Sequence, residues 1–182
     1  MKALLGLALL AQLTPTSPES LLRSAVSVVT TPAVMEAAAP VEQWLGSKLV
    51  IYETAGNIPE AVIAMFPSTP EPGEALITPT AVFVWKGRFA QFRSSFELAE
   101  FLSHAAAHAR LKHAEAWMDK LAAARVLGTT HAPAELSTQM LERTRKEFEA
   151  EAETQATEIL GTADCAPGPC AAFGRLLAAV RR

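Results

Sequence analysis

Apolar positions along the chain change their period several times, and each change marks an element. Val34, Ala37, Ala38, Val41, Trp44 and Leu45 recur every three or four residues, the spacing of a helix buried on one face. Thr31 followed by Pro32 starts that helix, with the threonine as cap and the proline in the first turn, and Gly46 ends it. Pro40 lies inside the run and predicts a kink or bend, because proline brings no N–H to the helix ladder. The flanking segments read as strands. Ala25 to Thr31 is rich in β-branched residues, and Lys48 to Glu53 is a nearly continuous apolar run of the kind buried on both faces. Ser17-Pro18-Glu19 predicts a short helix over Glu19 to Arg23. Asn57-Ile-Pro-Glu60 starts another that reaches about Phe66, and the Pro/Ser/Thr-rich stretch Pro67 to Gly73 is a loop.

Ala75 to Trp85 reads as a third strand. Lys86-Gly87 then makes a tight turn, and Arg88 to Arg93 returns as its antiparallel partner, with Phe89 and Phe92 on the hairpin edge. Exposed there, they would mark a partner surface. Ser94 or Ser95 caps the next helix, whose stripe is Leu98, Phe101, Leu102, Ala105 and Ala109. Beyond Arg110 everything reads as helix. One helix spans about Lys112 to Val126 and stops at Gly128. A long one covers about Ala134 to Leu160, with Leu141, Phe148, Ala152 and Ile159 as its buried stripe and a charged opposite face. Cys170 to Arg182 is the last.

The first half therefore has the order β-α-β-α-β-β-α, two parallel βα units plus a hairpin, which is the order of a thioredoxin-like fold. The predicted architecture is α/β followed by all-α: an N-terminal extension over residues 1–24, a thioredoxin-like domain over 25–110 and a short helical domain over 111–182. In this order the chain resembles the glutathione S-transferase family across about Val26 to Ala179. Thr31-Pro32-Ala33 through Leu45 and Leu49 to Glu53 resemble the family's first helix and second strand. Thr78-Pro79-Thr80 resembles its cis-proline strand, and Ser94-Ser95-Phe96-Glu97-Leu98 the start of its third helix. Ala116-Trp117-Met118 resembles the opening of its helical domain, and Gly161-Thr162-Ala163-Asp164 a capping box late in that domain. The resemblance implies a cis Pro79. It also implies a glutathione site at Thr78, Pro79, Ser94 and Ser95, with Thr30 or Thr31 as the hydroxyl that activates the thiol. The sequence departs from the family pattern where Ser94 replaces an acid or amide and Gly161 replaces a capping hydroxyl, and the helical half is short.

Composition narrows the function classes. The 182 residues are half hydrophobic, 19% charged and carry a net charge of −3, which gives no basic surface for nucleic acid. Lys2 followed by Ala3 to Leu10 resembles a short signal peptide with a poor cleavage pattern; an apolar element of the fold is the preferred reading, with residues 1–13 as a signal peptide the alternative. No run approaches the roughly 20 apolar residues a transmembrane helix needs. Cys165 and Cys170 are spaced C-x4-C, not the C-x-x-C of thiol redox sites. The Pro-Gly-Pro between them could turn them into a disulfide, and two reduced cysteines in a cytoplasmic protein is the preferred alternative. Trp44, Trp85 and Trp117 are spaced as core or interface anchors, and Asp119, Glu135 and Glu142 read as solvated charges. No P-loop or G-x-G-x-x-G is present.

His104 and His108 stand four apart on one helix, with His113 beyond them. Such a pair can share a metal, but no third ligand is evident along the sequence, so polar-face or inter-domain histidines and no metal are expected. The functional expectation is a non-catalytic transferase-like module for protein–protein assembly or homo-oligomerisation, without a cofactor. By resemblance it would be of the kind appended to aminoacyl-tRNA synthetases and elongation-factor subunits. The alternatives are a glutathione-dependent transferase using Thr30 or Thr31, and a secreted thioredoxin-fold protein with a Cys165–Cys170 disulfide.

Overall fold

The computed structural model describes residues 31–52, 75–77, 81–129, 134–162 and 167–182. The expectations placed on the N-terminal run, on the strand from Ala25, on the helix from Asn57, on Thr78-Pro79-Thr80 and on Cys165 and the Cys170 side chain lie outside the described residues.

Helix α1 is Pro32–Leu45. The Thr31 hydroxyl caps it by accepting from the Val34 N–H at 3.4 Å, and Val34, Ala38, Val41 and Leu45 form its buried stripe. Pro40 does not end the helix. Its ring lies on the exposed side, and the turn continues around the missing N–H. Gly46 closes the helix with φ +65°, a left-handed conformation that glycine takes without penalty, and its N–H reaches back to the Glu42 carbonyl. A Cβ at Gly46 would also lie 3.2 Å from the Arg110 guanidinium, which donates to the Leu45 carbonyl at 2.6 Å and so ties the end of α1 to a later helix.

Strands β1 (Lys48–Tyr52), β2 (Ala75–Ile77) and β3 (Ala81–Trp85) form a sheet of order β1-β3-β2. β1 runs parallel to β3, from Lys48 opposite Ala81 to Tyr52 opposite Trp85. β2 runs antiparallel to β3, with Ile77 opposite Val82 and Ala75 opposite Val84. The central strand is apolar at consecutive positions because both of its faces are covered: Val82, Phe83 and Val84 are all buried.

The thioredoxin-like β-α-β-α-β-β-α half is not what forms. The stretch from Ala75 to Trp85, read as one strand, is two strands paired with each other. The segment after it, expected to return as a strand, is helix α2 (Lys86–Gln91). The reason lies in Phe89 and Phe92. Three residues apart, they would point to opposite faces of a strand but share one face of a helical turn. Both are buried, with ring centroids 6.4 Å apart, so they belong to the core and do not mark an exposed edge. Among the described residues the protein is mostly helical, with three short strands.

Helices α3 (Ser95–Arg110), α4 (His113–Thr129), α5 (Ala134–Thr162) and α6 (Pro167–Val180) complete the described chain. One core joins α1, the sheet, α2, α3 and α6; Phe173, Leu176, Leu177 and Val180 of α6 pack into it. Trp44 meets Phe173 edge-on at 5.2 Å, and Arg181 donates to the Phe92 carbonyl, so the last helix closes on the first. Helix α3 is covered on two sides. Leu98, Leu102, Ala105 and Ala109 face this core, while Ala107 packs with Ala152, Ala156 and Ile159 of α5. Trp117 of α4 is buried, and Arg145 of α5 lies 5.4 Å over its ring. No described helix is long and apolar enough to cross a membrane.

Candidate metal centre

Helix α3 starts at Ser94, whose hydroxyl accepts from the Glu97 N–H at 3.1 Å while the Glu97 carboxylate accepts from the Arg93 N–H at 2.7 Å. This reciprocal arrangement is the capping box shifted by one residue. It fixes the helix on which His104 and His108 follow, one turn apart on one face. That face meets α5. Alanines make the seam there: Ala107 lies against Ala152 and Ala156, and small side chains let the two backbones approach. Counting back along α5 from Ile159 through Ala156 and Ala152, the next position on the same stripe is Glu149. The seam therefore closes on two imidazoles and a carboxylate.

Their ligating atoms converge. His104 Nε2 lies 3.1 Å from Glu149 Oε2 and 3.1 Å from His108 Nε2, and His108 Nε2 lies 3.5 Å from Glu149 Oε1. His108 is fully buried, and the Glu149 side chain is 27% exposed. Burial pushes the Glu149 carboxyl up, but the hydrogen bond from His104 and the nearness of both imidazoles outweigh it and hold the group at about 2. It is therefore a carboxylate, the form that ligates a metal.

A second layer surrounds these three groups. Glu153, one turn beyond Glu149, places Oε2 3.7 Å from His104 Nδ1. His113 places Nδ1 3.0 Å from His108 Nδ1 and Nε2 3.1 Å from Glu151 Oε2. The chain brings His113 there by reversing within two residues. Leu111 caps α3, and Lys112 takes φ 57°, a left-handed conformation uncommon for a residue with a Cβ. The His113 ring stacks on Phe148 of α5 at 4.2 Å and 3°. Burial lowers the affinity of His113 for a second proton, and the nearby His108 acts in the same direction; the Glu151 hydrogen bond opposes them without reversing the shift.

This set of groups suits a metal ion. With bonds of about 2.0–2.2 Å to imidazole and carboxylate, a tetrahedral ion sets its ligand atoms roughly 3.3–3.5 Å apart. The two imidazole nitrogens lie 3.1 Å apart, and one atom from each of the three residues lies within 4.8 Å of the others, so small side-chain adjustments bring the set to that spacing. Three ligand atoms with no sulfur among them match a site that keeps a position open for water or substrate. Comparison with family models, with curated proteins and with solved structures returned no match. The site therefore rests on its own geometry.

Of the residues expected to form a glutathione-type site, the described ones cap or begin helices. Thr30, Thr78 and Pro79 lie outside the described residues. Thr31 caps α1 and lines a small cavity with Val34, Ile51 and Val180. Ser94 caps α3, and Ser95 is its first residue. Thr31, Ser94 and Ser95 do not belong to the His104–His108–Glu149 cluster. The histidines, expected on a polar face or between the two halves, lie against α5, where His108 and His113 are buried. Glu149 is not legible from its own turn of α5, where Phe148 is the apolar residue and Glu149 one acid among several. The signal that could have found it is the Ala152–Ala156–Ile159 stripe, whose backward extension lands on Glu149.

Proposed function

We propose that this protein binds a divalent transition-metal ion between α3 and α5, held by His104 Nε2, His108 Nε2 and a Glu149 carboxylate oxygen. The observation that carries the reading is the convergence of one ligand atom from each of these residues, on two separate helices, to within 4.8 Å of one another. Two nitrogens and one oxygen favour zinc, iron(II), manganese(II) or cobalt(II) over calcium and magnesium, which prefer all-oxygen sets. With three protein ligands the ion keeps room for water, whose acidity it raises, or for a substrate oxygen, which it polarises. Bound there, it also clamps α5 to the helix that runs through the core.

The test is a zinc titration of the full chain by calorimetry, with cobalt(II) absorption to report coordination number. One ion per chain is expected, with loss of at least tenfold in affinity in His104→Ala and in Glu149→Gln and an unchanged helical circular-dichroism spectrum. Absence of binding at micromolar to tens-of-micromolar zinc overturns the reading.

A second reading, assembly with a protein partner or another copy, is favoured by one feature. Val126 near the end of α4 and Leu136 near the start of α5 are exposed, and Ser137 donates to the Ala124 carbonyl beside them. Light scattering across a concentration series tests it: a protein monomeric throughout removes the self-assembly form.

A further inference from the structure

The metal reading needs a lone pair, not a proton, on the nitrogens that face the ion. Neutral imidazole carries one proton on either Nδ1 or Nε2, and the hydrogen bond at one nitrogen decides the state of the other. For His108 that decision can be followed outward through the second layer. Glu151 is a carboxylate and only accepts, so the proton of neutral His113 sits on Nε2, 3.1 Å from Glu151 Oε2. His113 Nδ1 is then an acceptor. It faces His108 Nδ1 at 3.0 Å, so His108 must hold its proton on Nδ1 to make that bond. The Nε2 lone pair of His108 is left pointing at His104 Nε2 and Glu149.

We infer that Glu151 and His113 are positioning residues that preset His108 in its Nδ1–H form, with Nε2 open to a ligand before any ion arrives. The inference rests on the metal reading for its purpose but not for its geometry. It also accounts for features the three ligands leave unexplained. The left-handed Lys112 makes the short reversal that places His113 against His108. The parallel stack on Phe148 holds the His113 ring in plane for bonds at both of its nitrogens. His104 has a simpler neighbour: Glu153 stands 3.7 Å from its Nδ1, and its Nε2 faces the acceptor nitrogen of His108. Before an ion binds, His104 therefore carries a proton on Nε2, donated toward His108 and Glu149. One histidine is preset, and the other gives up its inward proton when the ion enters. With neutral rings, that proton is carried on Nδ1, next to Glu153, in the metal-bound form.

The experiment is long-range proton–nitrogen NMR of the imidazoles at pH 8, where ordinary histidines are neutral, with and without zinc. Expected are Nδ1–H for His108 in both states, and Nε2–H changing to Nδ1–H for His104 on zinc addition. His113→Phe keeps a ring against Phe148 but removes the acceptor. It should abolish the Nδ1–H preference of His108 and weaken zinc binding about 10- to 100-fold, the usual effect of losing an outer-layer partner. Glu151→Gln should weaken binding less, because its amide oxygen still accepts. A His108 carrying its proton on Nε2 in the metal-free protein, or zinc affinity unchanged in a folded His113→Phe, overturns the inference. A His108 in the Nδ1–H form in a protein that binds no zinc supports the preset chain and overturns the metal reading, so the two fail separately.

Discussion

At the scale of single residues, Glu149 holds the centre together. It is a carboxylate on the buried stripe of α5, compensated by two imidazoles from α3. Replacing it by a neutral group of similar shape separates charge from packing. Its folded pKa lies at about 2 against an ordinary value of 4.5, so its contribution to stability is fully present above about pH 4.5 and is lost as the pH falls toward 2. The stability difference between the metal-free protein and Glu149→Gln, followed by urea unfolding, should therefore be constant at higher pH and shrink between pH 4.5 and 2. A difference independent of pH over that interval would mean that the carboxylate is not compensated by the histidines. The histidine spacing was legible in the sequence, and the third ligand was not. Residues 104 and 149 are brought together by the packing of two helices, and the charge pattern of α5 alone makes Glu149 resemble the solvated acids around it.

At the scale of elements, local chemistry explains most of the helices. Thr31-Pro32 and Gly46 bound α1 as the sequence predicts, and Ser94 caps α3. Pro40 is the exception. The helix runs through it because the missing N–H lies on the outer face of a helix held by Val34, Ala38, Val41 and Leu45 in the core, and burial outweighs the local cost. That cost is still carried. Pro40→Ala restores the bond to the Glu36 carbonyl and should stabilise the protein by about 1–3 kcal/mol in urea unfolding without a change in m-value. A neutral or destabilising effect would show that α1 needs the proline's shape. At α2 the outcome went the other way. Lys86-Gly87 satisfied the chemistry of a turn, but the spacing of Phe89 and Phe92 suits a helix, and their burial against the sheet and α6 decided it.

At the scale of the whole molecule, the two ends of the described chain share one core. Phe173, Leu176, Leu177 and Val180 are buried among residues of α1, α2 and α3. At about 1.5–3 kcal/mol for each large apolar side chain, they contribute about 6–12 kcal/mol, comparable with the whole stability of an ordinary domain. A chain ending at Thr162 should therefore lose its cooperative thermal transition. A truncated protein that still melts cooperatively near the full-length temperature would show that α6 is an appendage.

By itself the sequence determined the local features: where most helices start and stop, and that no described helix is long and apolar enough to cross a membrane. These depend on caps, periodicity and composition within a few residues. The tertiary structure alone decided that Ala75–Ile77 pairs with Ala81–Trp85, that the segment after them coils, and that α5 supplies the acid for the histidines of α3. Each of those outcomes is a comparison between alternatives of similar local energy, settled by which one buries its aromatic rings and satisfies its buried nitrogens. That depends on partners far away in the chain, which a local pattern does not contain.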